Sequence, residues 1–231
     1  MSAAADLLVV DGIDVSRGRA HVLFGASLRL RPNEIVACVG RNGAGKSTLL
    51  QSIAGFLRPD CGSIRCDGRA IDGRPPYEIA RGGVRYVPQD KSVFTELTVR
   101  ENLELGSYAT NDHDWAPVFE FFPKLKVLID RKAGHLSGGE RQMLMIGRAI
   151  LGDPKVLLID EPTEGLSPQV VRHLQTVFTA LSRRCSVFIV EQNLPLVCAI
   201  AERVYGMREG RIVAELNGGS ELHPEHCEPY L

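Results

Sequence analysis

The feature that most constrains the fold is a glycine-rich stretch between an apolar segment and a helical pattern. Residues 34–39 are almost wholly apolar, and Gly40-Arg-Asn-Gly-Ala-Gly-Lys-Ser-Thr48 follows them at once. A strand, a glycine loop and a helix in this order form a P-loop, in which backbone N–H groups and the helix N-terminus converge on phosphate oxygens. The sequence therefore predicts a nucleotide-phosphate site formed by Gly40, Arg41, Asn42, Gly43, Ala44, Gly45, Lys46, Ser47 and Thr48.

Hydrolysis at such a site needs a metal ion and a group that positions water. Lys46 is expected to contact the β and γ phosphates, and Ser47 is expected to offer its hydroxyl to Mg²⁺. Residues 156–161, Val-Leu-Leu-Ile-Asp-Glu, form an apolar strand that ends in two carboxylates. Since strand side chains alternate, we expect the carboxylates to point to opposite sides, with Asp160 holding Mg²⁺ through water and Glu161 polarising the attacking water.

The pattern along the chain predicts an α/β fold. Short β-branched runs occupy residues 34–39, 83–87, 155–159 and 186–190. Their near-continuous apolarity indicates strands buried on both faces, as in a parallel sheet covered by helices. Helical patterns separate them, and this alternation predicts a mainly parallel sheet flanked by helices at residues 47–56, 137–151 and 168–183.

Two additions to this sheet are predicted within a single domain of residues 1–231. Residues 7–15, 21–30 and 62–70 indicate an antiparallel β region. An inserted, mainly helical subdomain is expected over about 97–152, because residues 97–133 contain no convincing buried strand. This region carries an aromatic cluster with two interpretations, the small core of the subdomain or part of a docking surface, formed by Trp115, Phe119, Phe121 and Phe122.

Composition excludes several classes of function. The 27 Lys and Arg residues against 28 Asp and Glu give a net charge of −1, so no global field favours nucleic acid or an anionic membrane surface. No apolar run approaches the roughly 20 residues needed to cross a bilayer, and the first residues lack the pattern of a signal peptide. The six cysteines form no repeated metal-ligand spacing, so reduced thiols without a bound metal are expected.

Between the two phosphate motifs lies Leu136-Ser-Gly-Gly-Glu-Arg-Gln142. Together with Lys46 and Asp160-Glu161 in this order, it makes the chain resemble the ATP-binding-cassette (ABC) ATPases along nearly its whole length. The resemblance implies an enzyme that hydrolyses ATP with Mg²⁺. It also implies a head-to-tail dimer with two ATP molecules at the interface, because in this family the signature, here Ser137, Gly138, Gly139 and Glu140, acts on ATP bound to the opposite subunit.

Three further positions match the order of the family's motifs. Gln89 resembles the glutamine that reaches Mg²⁺ and the attacking water and faces the membrane subunit. The stretch Glu164-Gly-Leu-Ser-Pro168 resembles the loop that crosses to the partner subunit. Gln192 stands where most relatives place a histidine that senses the γ phosphate. A glutamine amide donates a hydrogen bond to phosphate but does not titrate near neutral pH.

A departure from the family lies near the start of the chain, where relatives stack an aromatic side chain on adenine. The matching position is Arg17 or a neighbour, and no aromatic residue precedes Phe24. An arginine guanidinium also stacks on a base. The alternative is an ordinary surface charge, so two interpretations of Arg17 stand at this point.

Three short segments resemble those of one subgroup of the family. This subgroup is the smaller ATPase subunit of branched-chain amino-acid importers and its counterpart in urea and short-amide importers. The three segments are Phe121-Phe-Pro-Lys-Leu125, Glu161-Pro-Thr-Glu-Gly-Leu-Ser-Pro168 and Val190-Glu-Gln-Asn193. The subgroup implies a second ATPase subunit, identical or similar, two membrane-spanning permease subunits and, indirectly, a substrate-binding protein. It places the chain peripherally on the cytoplasmic face of the membrane.

Other classes of protein fit these residues less well. A cassette ATPase acting on ribosomes or DNA is expected to carry two cassettes or a long coiled-coil insertion, and the sequence has neither. A kinase-like P-loop phosphotransferase would have no use for the signature. A purely nucleotide-binding regulatory module requires Glu161 to be inactive. The sequence therefore favours a transport motor, with the solute chosen by other subunits.

Overall fold

The computed structural model describes residues 5–90, 92–218 and 222–231. Its strands, counted within these ranges, fall into two sheets. They are β1 Leu8–Arg17, β2 Ala20–Leu30, β3 Ile35–Val39, β4 Cys61–Cys66, β5 Arg69–Ala70, β6 Val84–Val87, β7 Val156–Asp160, β8 Ser186–Val190, β9 Arg203–Arg208 and β10 Arg211–Asn217.

The larger sheet is mainly parallel and has six strands in the order β10-β9-β3-β8-β7-β6. Strands β9, β3, β8, β7 and β6 pair in parallel, and β10 is antiparallel to β9. Every residue of β3, β7 and β8 is buried. The prediction of parallel strands is thus confirmed for the four runs identified from their apolarity, and burial on both faces is confirmed for β3, β7 and β8, while the edge strand β6 is only partly buried.

The smaller sheet is the predicted antiparallel region, with strand order β2-β1-β4-β5. It is joined to the larger sheet at the glycine-rich loop. The Gly210 N–H, in the turn between β9 and β10, donates to the Ala44 carbonyl at 2.8 Å, and the Gly210 carbonyl accepts from the Phe24 N–H at 2.9 Å. A Cβ at Gly210 would lie 2.0 Å from the Val22 carbonyl oxygen, so this close approach requires glycine.

Helices cover both faces of the larger sheet. The predicted helices are confirmed with small changes at their ends. The additional ones follow β5, lie between β6 and the signature, and follow β8 and β10. They are α1 Lys46–Ile53, α2 Pro76–Arg81, α3 Val99–Thr110, α4 Ala116–Phe121, α5 Pro123–Val127, α6 Gly138–Ala149, α7 Pro168–Leu181, α8 Leu194–Ile200 and α9 Pro224–Cys227.

Residues 97–152 are mainly helical, as predicted, and include α3 to α6. Strand-like pairing among the described residues of this region is limited to one bridge, between Thr98 and Lys132. Phe121 and Phe122 are buried in the hydrophobic core beneath these helices, and Trp115 and Phe119 pack partly buried against it. The aromatic cluster is therefore largely the core of this helical region, rather than a docking surface.

The hairpin of β9 and β10 was not predicted. Side chains along β10 alternate between exposed and partly buried, which gives a weak apolar pattern. Arg203 at the start of β9 forms an ion pair with Glu34 at 2.7 Å, and these two residues are only 4% and 5% exposed. A buried ion pair of this kind fixes where β9 begins, because either charge left alone in the core would be costly.

Within the part of the chain that the structure describes, no helix is long and apolar enough to cross a membrane. Its six cysteines are free thiols.

Candidate functional site

The glycine-rich loop wraps around the ammonium group of Lys46. Gly43 and Gly45 adopt positive φ angles of 81° and 108°, and helix α1 begins directly after them. The buried Lys46 Nζ donates to the carbonyl oxygens of Gly40 at 2.7 Å and Arg41 at 3.1 Å. The loop backbone is thus already curved around a cation, and the N-terminus of α1 points into the same space.

A cavity of about 350 Å³ opens above this loop. It brings together six of the nine predicted phosphate residues with Arg17, Gln89 and Glu161, whereas Gly40, Arg41 and Ala44 do not line it. Its lining consists of Arg17, Val22, Asn42, Gly43, Gly45, Lys46, Ser47, Thr48, Gln89 and Glu161. Backbone N–H groups at a helix start and a buried ammonium suit a polyphosphate.

Asp160 ends β7 beside the start of α1. The Ser47 hydroxyl donates to its Oδ1 at 3.1 Å, and the Tyr86 hydroxyl donates to its Oδ2 at 3.1 Å. Burial raises the pKa of Asp160 despite these two hydrogen bonds. A hydroxyl and a carboxylate in contact provide the hard oxygen ligands that Mg²⁺ prefers, so this pair fits a metal bound at the phosphate end of the cavity.

Glu161 corrects one expectation. It leaves the strand with φ at 43°, which breaks the alternation that was expected to send the two carboxylates to opposite sides. Glu161 Oε1 instead lies 3.4 Å from Lys46 Nζ, while Asp160 contacts the next residue, Ser47. Both carboxylates therefore contact the beginning of α1.

Two side-chain amides hold the Glu161 carboxylate. Gln192 Nε2 donates to Glu161 Oε1 at 2.9 Å and also contacts Asn42 Oδ1 at 2.6 Å. Gln89 Nε2 donates to Glu161 Oε2 at 3.1 Å and to Glu164 at 2.8 Å. A buried carboxylate held between an ammonium and two amides at the rim of a cavity is suited to orient and polarise a water molecule.

Glu191 supports this arrangement, although no role was predicted for it. Its buried carboxylate accepts hydrogen bonds from the backbone N–H groups of Thr163, Gln192 and Asn193 and from the Thr163 hydroxyl. These bonds join the turn after β7 to the turn after β8. Glu191 thereby fixes the backbone from which Gln192 reaches Glu161.

The signature residues lie apart from the cavity, at the start of α6. Ser137 Oγ accepts from the Glu140 N–H at 3.3 Å, and Glu140 accepts from the Ser137 N–H at 2.8 Å, which forms a capping box. Lys124 pairs with Glu140 at 2.7 Å. Although burial opposes the charged form, the bonds from Lys124 and Ser137 lower the pKa of Glu140.

The two glycines of the signature differ in the space around them. A Cβ on Gly139 would lie 3.0 Å from the Val170 side chain of α7, while Gly138 has more room.

Arg17 is exposed at the end of β1 and lines the cavity. Its Nη2 donates to Gln51 Oε1 of α1 at 2.6 Å. Gln51 and Tyr86 complete the surroundings of the site. Sequence reasoning missed both, because neither belongs to a recognisable motif.

Comparison with known proteins gives concordant matches. Residues 23–164, more than half of the chain, match the sequence model of the ABC transporter family. The chain is 39% identical to the high-affinity branched-chain amino acid transport ATP-binding protein BraG of Pseudomonas aeruginosa, over 97% of this chain and 99% of that one. It is 35% identical to the probable branched-chain amino acid transport ATP-binding protein LivF of Archaeoglobus fulgidus, over 89% of each.

The fold matches solved cassettes over nearly the whole chain. The ADP conformation of MJ1267, described as an ATP-binding cassette of an ABC transporter, superposes with a TM-score of 0.86 and 29% sequence identity. The match covers 98% of this chain and 99% of that one. The sheet order and the helical region described above are therefore those of an ATP-binding cassette.

Proposed function

This chain belongs to the ABC transporter family, and from that premise we propose that it is the ATP-hydrolysing motor subunit of an importer for branched-chain amino acids. The observation that carries the mechanism is the position of Glu161. Its buried carboxylate lies 3.4 Å from the ammonium of Lys46 and is held by the amides of Gln89 and Gln192. This position supports a role for Glu161 as the base that orients water beside the phosphates.

We assign the roles at the cavity as follows. Backbone N–H groups of the loop and Lys46 bind the phosphates, and Arg17 contacts the base. Glu161 accepts the proton of the attacking water, while Gln192 and Gln89 hold its carboxylate and align the water with the γ phosphate. The ATP-binding set is Gly40, Arg41, Asn42, Gly43, Ala44, Gly45, Lys46, Ser47, Thr48 and Arg17.

Mg²⁺ fits the oxygen donors at the phosphate end. Ser47 would ligate it directly, Asp160 through water, and Gln89 would be a further ligand. The ion would supply positive charge that neutralises charge developing on the phosphates. The hydrogen bond from Ser47 to Asp160 supports a shared role for these two groups.

We further propose that two cassettes complete each other's sites. Ser137, Gly138, Gly139 and Glu140 lie outside this chain's own cavity, at the start of a different helix. A second ATPase subunit, identical or similar, would present its signature to the ATP held here. A lone chain should therefore bind ATP but hydrolyse it slowly, because half of each site is missing.

A groove between the sheet and the helical region fits the docking of one of the two proposed permease subunits. Its volume is about 490 Å³, and it runs from Arg85 and Pro88 to Leu105 and Arg148. Phe94 on its edge is 50% exposed, and Arg148 lies 5.0 Å from the centre of that ring. Gln89, which contacts Glu161, immediately follows Pro88 of the groove wall, so the groove adjoins the catalytic carboxylate.

The cargo follows from the relatives alone, since no residue in this chain contacts a solute in the proposed assembly. BraG and LivF are named for branched-chain amino acid transport. The alternatives are the same motor role for urea, short amides or another solute, and less favourably a non-transport ABC ATPase. We place residues 1–231 in one ABC ATPase domain, with about 97–152 as its helical subdomain, peripheral on the cytoplasmic face of the membrane and dependent indirectly on a substrate-binding protein.

Reconstitution tests this proposal. The chain is combined with its cognate ATPase, permease and binding-protein partners in proteoliposomes, and uptake of labelled leucine, urea and acetamide is measured with and without ATP. We expect ATP-dependent uptake of leucine that Glu161→Gln abolishes. ATP-dependent uptake of urea or acetamide alone would show that the motor drives import of that solute instead of leucine. A complex that hydrolyses no ATP would overturn the motor role itself.

A further inference from the structure

A line of polar side chains runs from the base end of the cavity to its metal end. Arg17 Nη2 donates to Gln51 Oε1 at 2.6 Å. The Gln51 side chain lies within reach of the Tyr86 hydroxyl. Tyr86 donates to Asp160 Oδ2 at 3.1 Å, and Ser47 contacts the other oxygen of the same carboxylate.

The direction of these bonds is fixed by chemistry. A guanidinium has only donors, so Gln51 must present its oxygen to Arg17 and its NH₂ group to Tyr86. Tyr86 directs the single proton of its phenol to the Asp160 carboxylate. Each member of the line therefore constrains the orientation of the next.

The four residues come from different elements. Arg17 ends β1 of the antiparallel sheet, Gln51 lies in α1, Tyr86 lies in β6, and Asp160 ends the neighbouring strand β7. The ring of Phe56, just beyond α1, contacts the Tyr86 ring with centroids 5.8 Å apart. When Ser47 turns to a metal ion, Tyr86 remains as the donor to Asp160 among the residues that the structure describes.

We propose that Tyr86 and Gln51 are positioning residues that hold the Asp160 carboxylate in the orientation used for Mg²⁺, and that Arg17 orients Gln51 from the base end of the site. This inference rests on the proposed function, since it concerns the metal bound with ATP. It predicts that the base-side arginine and the metal-side carboxylate are energetically coupled without touching.

The test measures ATP binding rather than turnover. All proteins carry Glu161→Gln, which stops hydrolysis, and ATP affinity is measured by isothermal titration calorimetry in EDTA and in saturating Mg²⁺. The quantity compared is the ratio of the two affinities. Tyr86→Phe should lower this ratio about fivefold to tenfold, because a hydrogen bond to a charged group is lost, while affinity in EDTA is unchanged.

Two matched variants separate positioning from general damage. Tyr108→Phe removes the hydroxyl of a tyrosine that is 72% exposed in α3, and it should leave the ratio unchanged. Gln51→Leu should lower the ratio, and the double variant with Tyr86→Phe should fall no further than Tyr86→Phe alone, because the two residues act in series. Arg17→Ala should lower the ratio less, and its effect should vanish when Tyr86 is already Phe. Thermal melting of each variant checks its folding.

The outcomes are distinguishable. If Tyr86→Phe matches Tyr108→Phe, or if the effects of Tyr86→Phe and Gln51→Leu simply add, the positioning role is wrong. If the parent protein gains no ATP affinity from Mg²⁺, the failure lies in the proposed metal site and hence in the proposed function. A lowered ratio with non-additive effects supports the connected line of residues.

Discussion

Two helices of this protein begin with a glycine-containing motif, and their N-termini differ in one physical respect. Helix α1 begins after Gly45 at φ 108°, and because glycine has no side-chain oxygen its first N–H groups are left open to an external anion. Helix α6 begins after Ser137, whose capping box with Glu140 satisfies two of the corresponding backbone groups internally. The first helix start is built for a ligand, and the second is stable before any ligand arrives.

The difference agrees with what each helix start is proposed to do. The α1 start lies at a cavity with Lys46, Asp160 and Glu161 around it, so it can bind nucleotide within one chain. The α6 start is held by its own residues and by Lys124, and in the proposed dimer it would offer the Ser137 hydroxyl to a phosphate bound by the other subunit. Changes at the α1 start should therefore weaken ATP binding, whereas changes at the α6 start should lower ATP turnover by the dimer.

The largest effect is expected at the α1 start. Lys46→Ala removes the buried ammonium, so the phosphates lose a charge-assisted contact and Glu161 is left without its cation; we expect ATP affinity to fall about a hundredfold or more. Lys124→Ala is the matched control at α6, because it removes only a pair between Glu140 and a lysine that is 63% exposed. Calorimetric titration with ATP measures both. Equal losses of affinity would remove the distinction between the two helix starts.

The next effect separates binding from chemistry within the α1 site. Glu161→Gln keeps the size of the side chain and abolishes its charge, so turnover should fall about 10²-fold to 10⁴-fold while ATP still binds. An ATP-bound dimer should accumulate, and size-exclusion chromatography with light scattering would detect it. The division of roles fails if Glu161→Gln and Lys46→Ala give the same loss of nucleotide binding.

The α1 side of this comparison was largely predictable from sequence, for a physical reason. The strand, the glycine loop and the helix are contiguous, so local pattern and spacing determine how residues 40–48 fold. The parallel strands β3, β6, β7 and β8 were also predictable, because each is a short apolar run. The edge strand β10 lacks such a run, and the hairpin with β9 was accordingly missed.

Long-range contacts set the limit of that prediction. Tyr86 and Asp160 are 74 positions apart, and Gln192 and Glu161 are 31 positions apart. Nothing in a single sequence pairs these side chains. The alternation rule also failed at Glu161, because a left-handed residue directly after β7 turns the carboxylate towards Lys46. The backbone conformation of Glu161 thus determines where its carboxylate lies in the site.

A smaller effect tests the α6 side. Ser137→Ala removes a helix cap and the hydroxyl offered to a partner's ATP, so the assembled dimer should lose about tenfold or more in turnover while the single chain keeps its ATP affinity. Thr98→Ala is the matched control, since Thr98 forms the same capping box with Glu101 at the start of α3. Each change should cost about 1 kcal/mol of folding stability, measured by urea denaturation. A turnover defect of the same size in Thr98→Ala would assign the loss to stability instead of to the signature.

The smallest expected effect concerns the charge at the rim of the α1 site. Gln192 donates to Glu161 and does not titrate, so ATPase activity between about pH 6 and 8 should show no imidazole-like transition from this position. Gln192→His introduces a group with an ordinary pKa of about 6.5. Below that pH the protonated ring would pair with the Glu161 carboxylate and withdraw it from water, so relative activity of the variant should fall a few-fold as the pH drops.

The control is the reverse exchange beside the signature, His135→Gln. It should leave the pH profile of the parent unchanged, because His135 is exposed and lies outside the cavity. A Gln192→His profile identical to that of the parent would place Gln192 outside the reacting groups and leave Gln89 as the amide that serves Glu161.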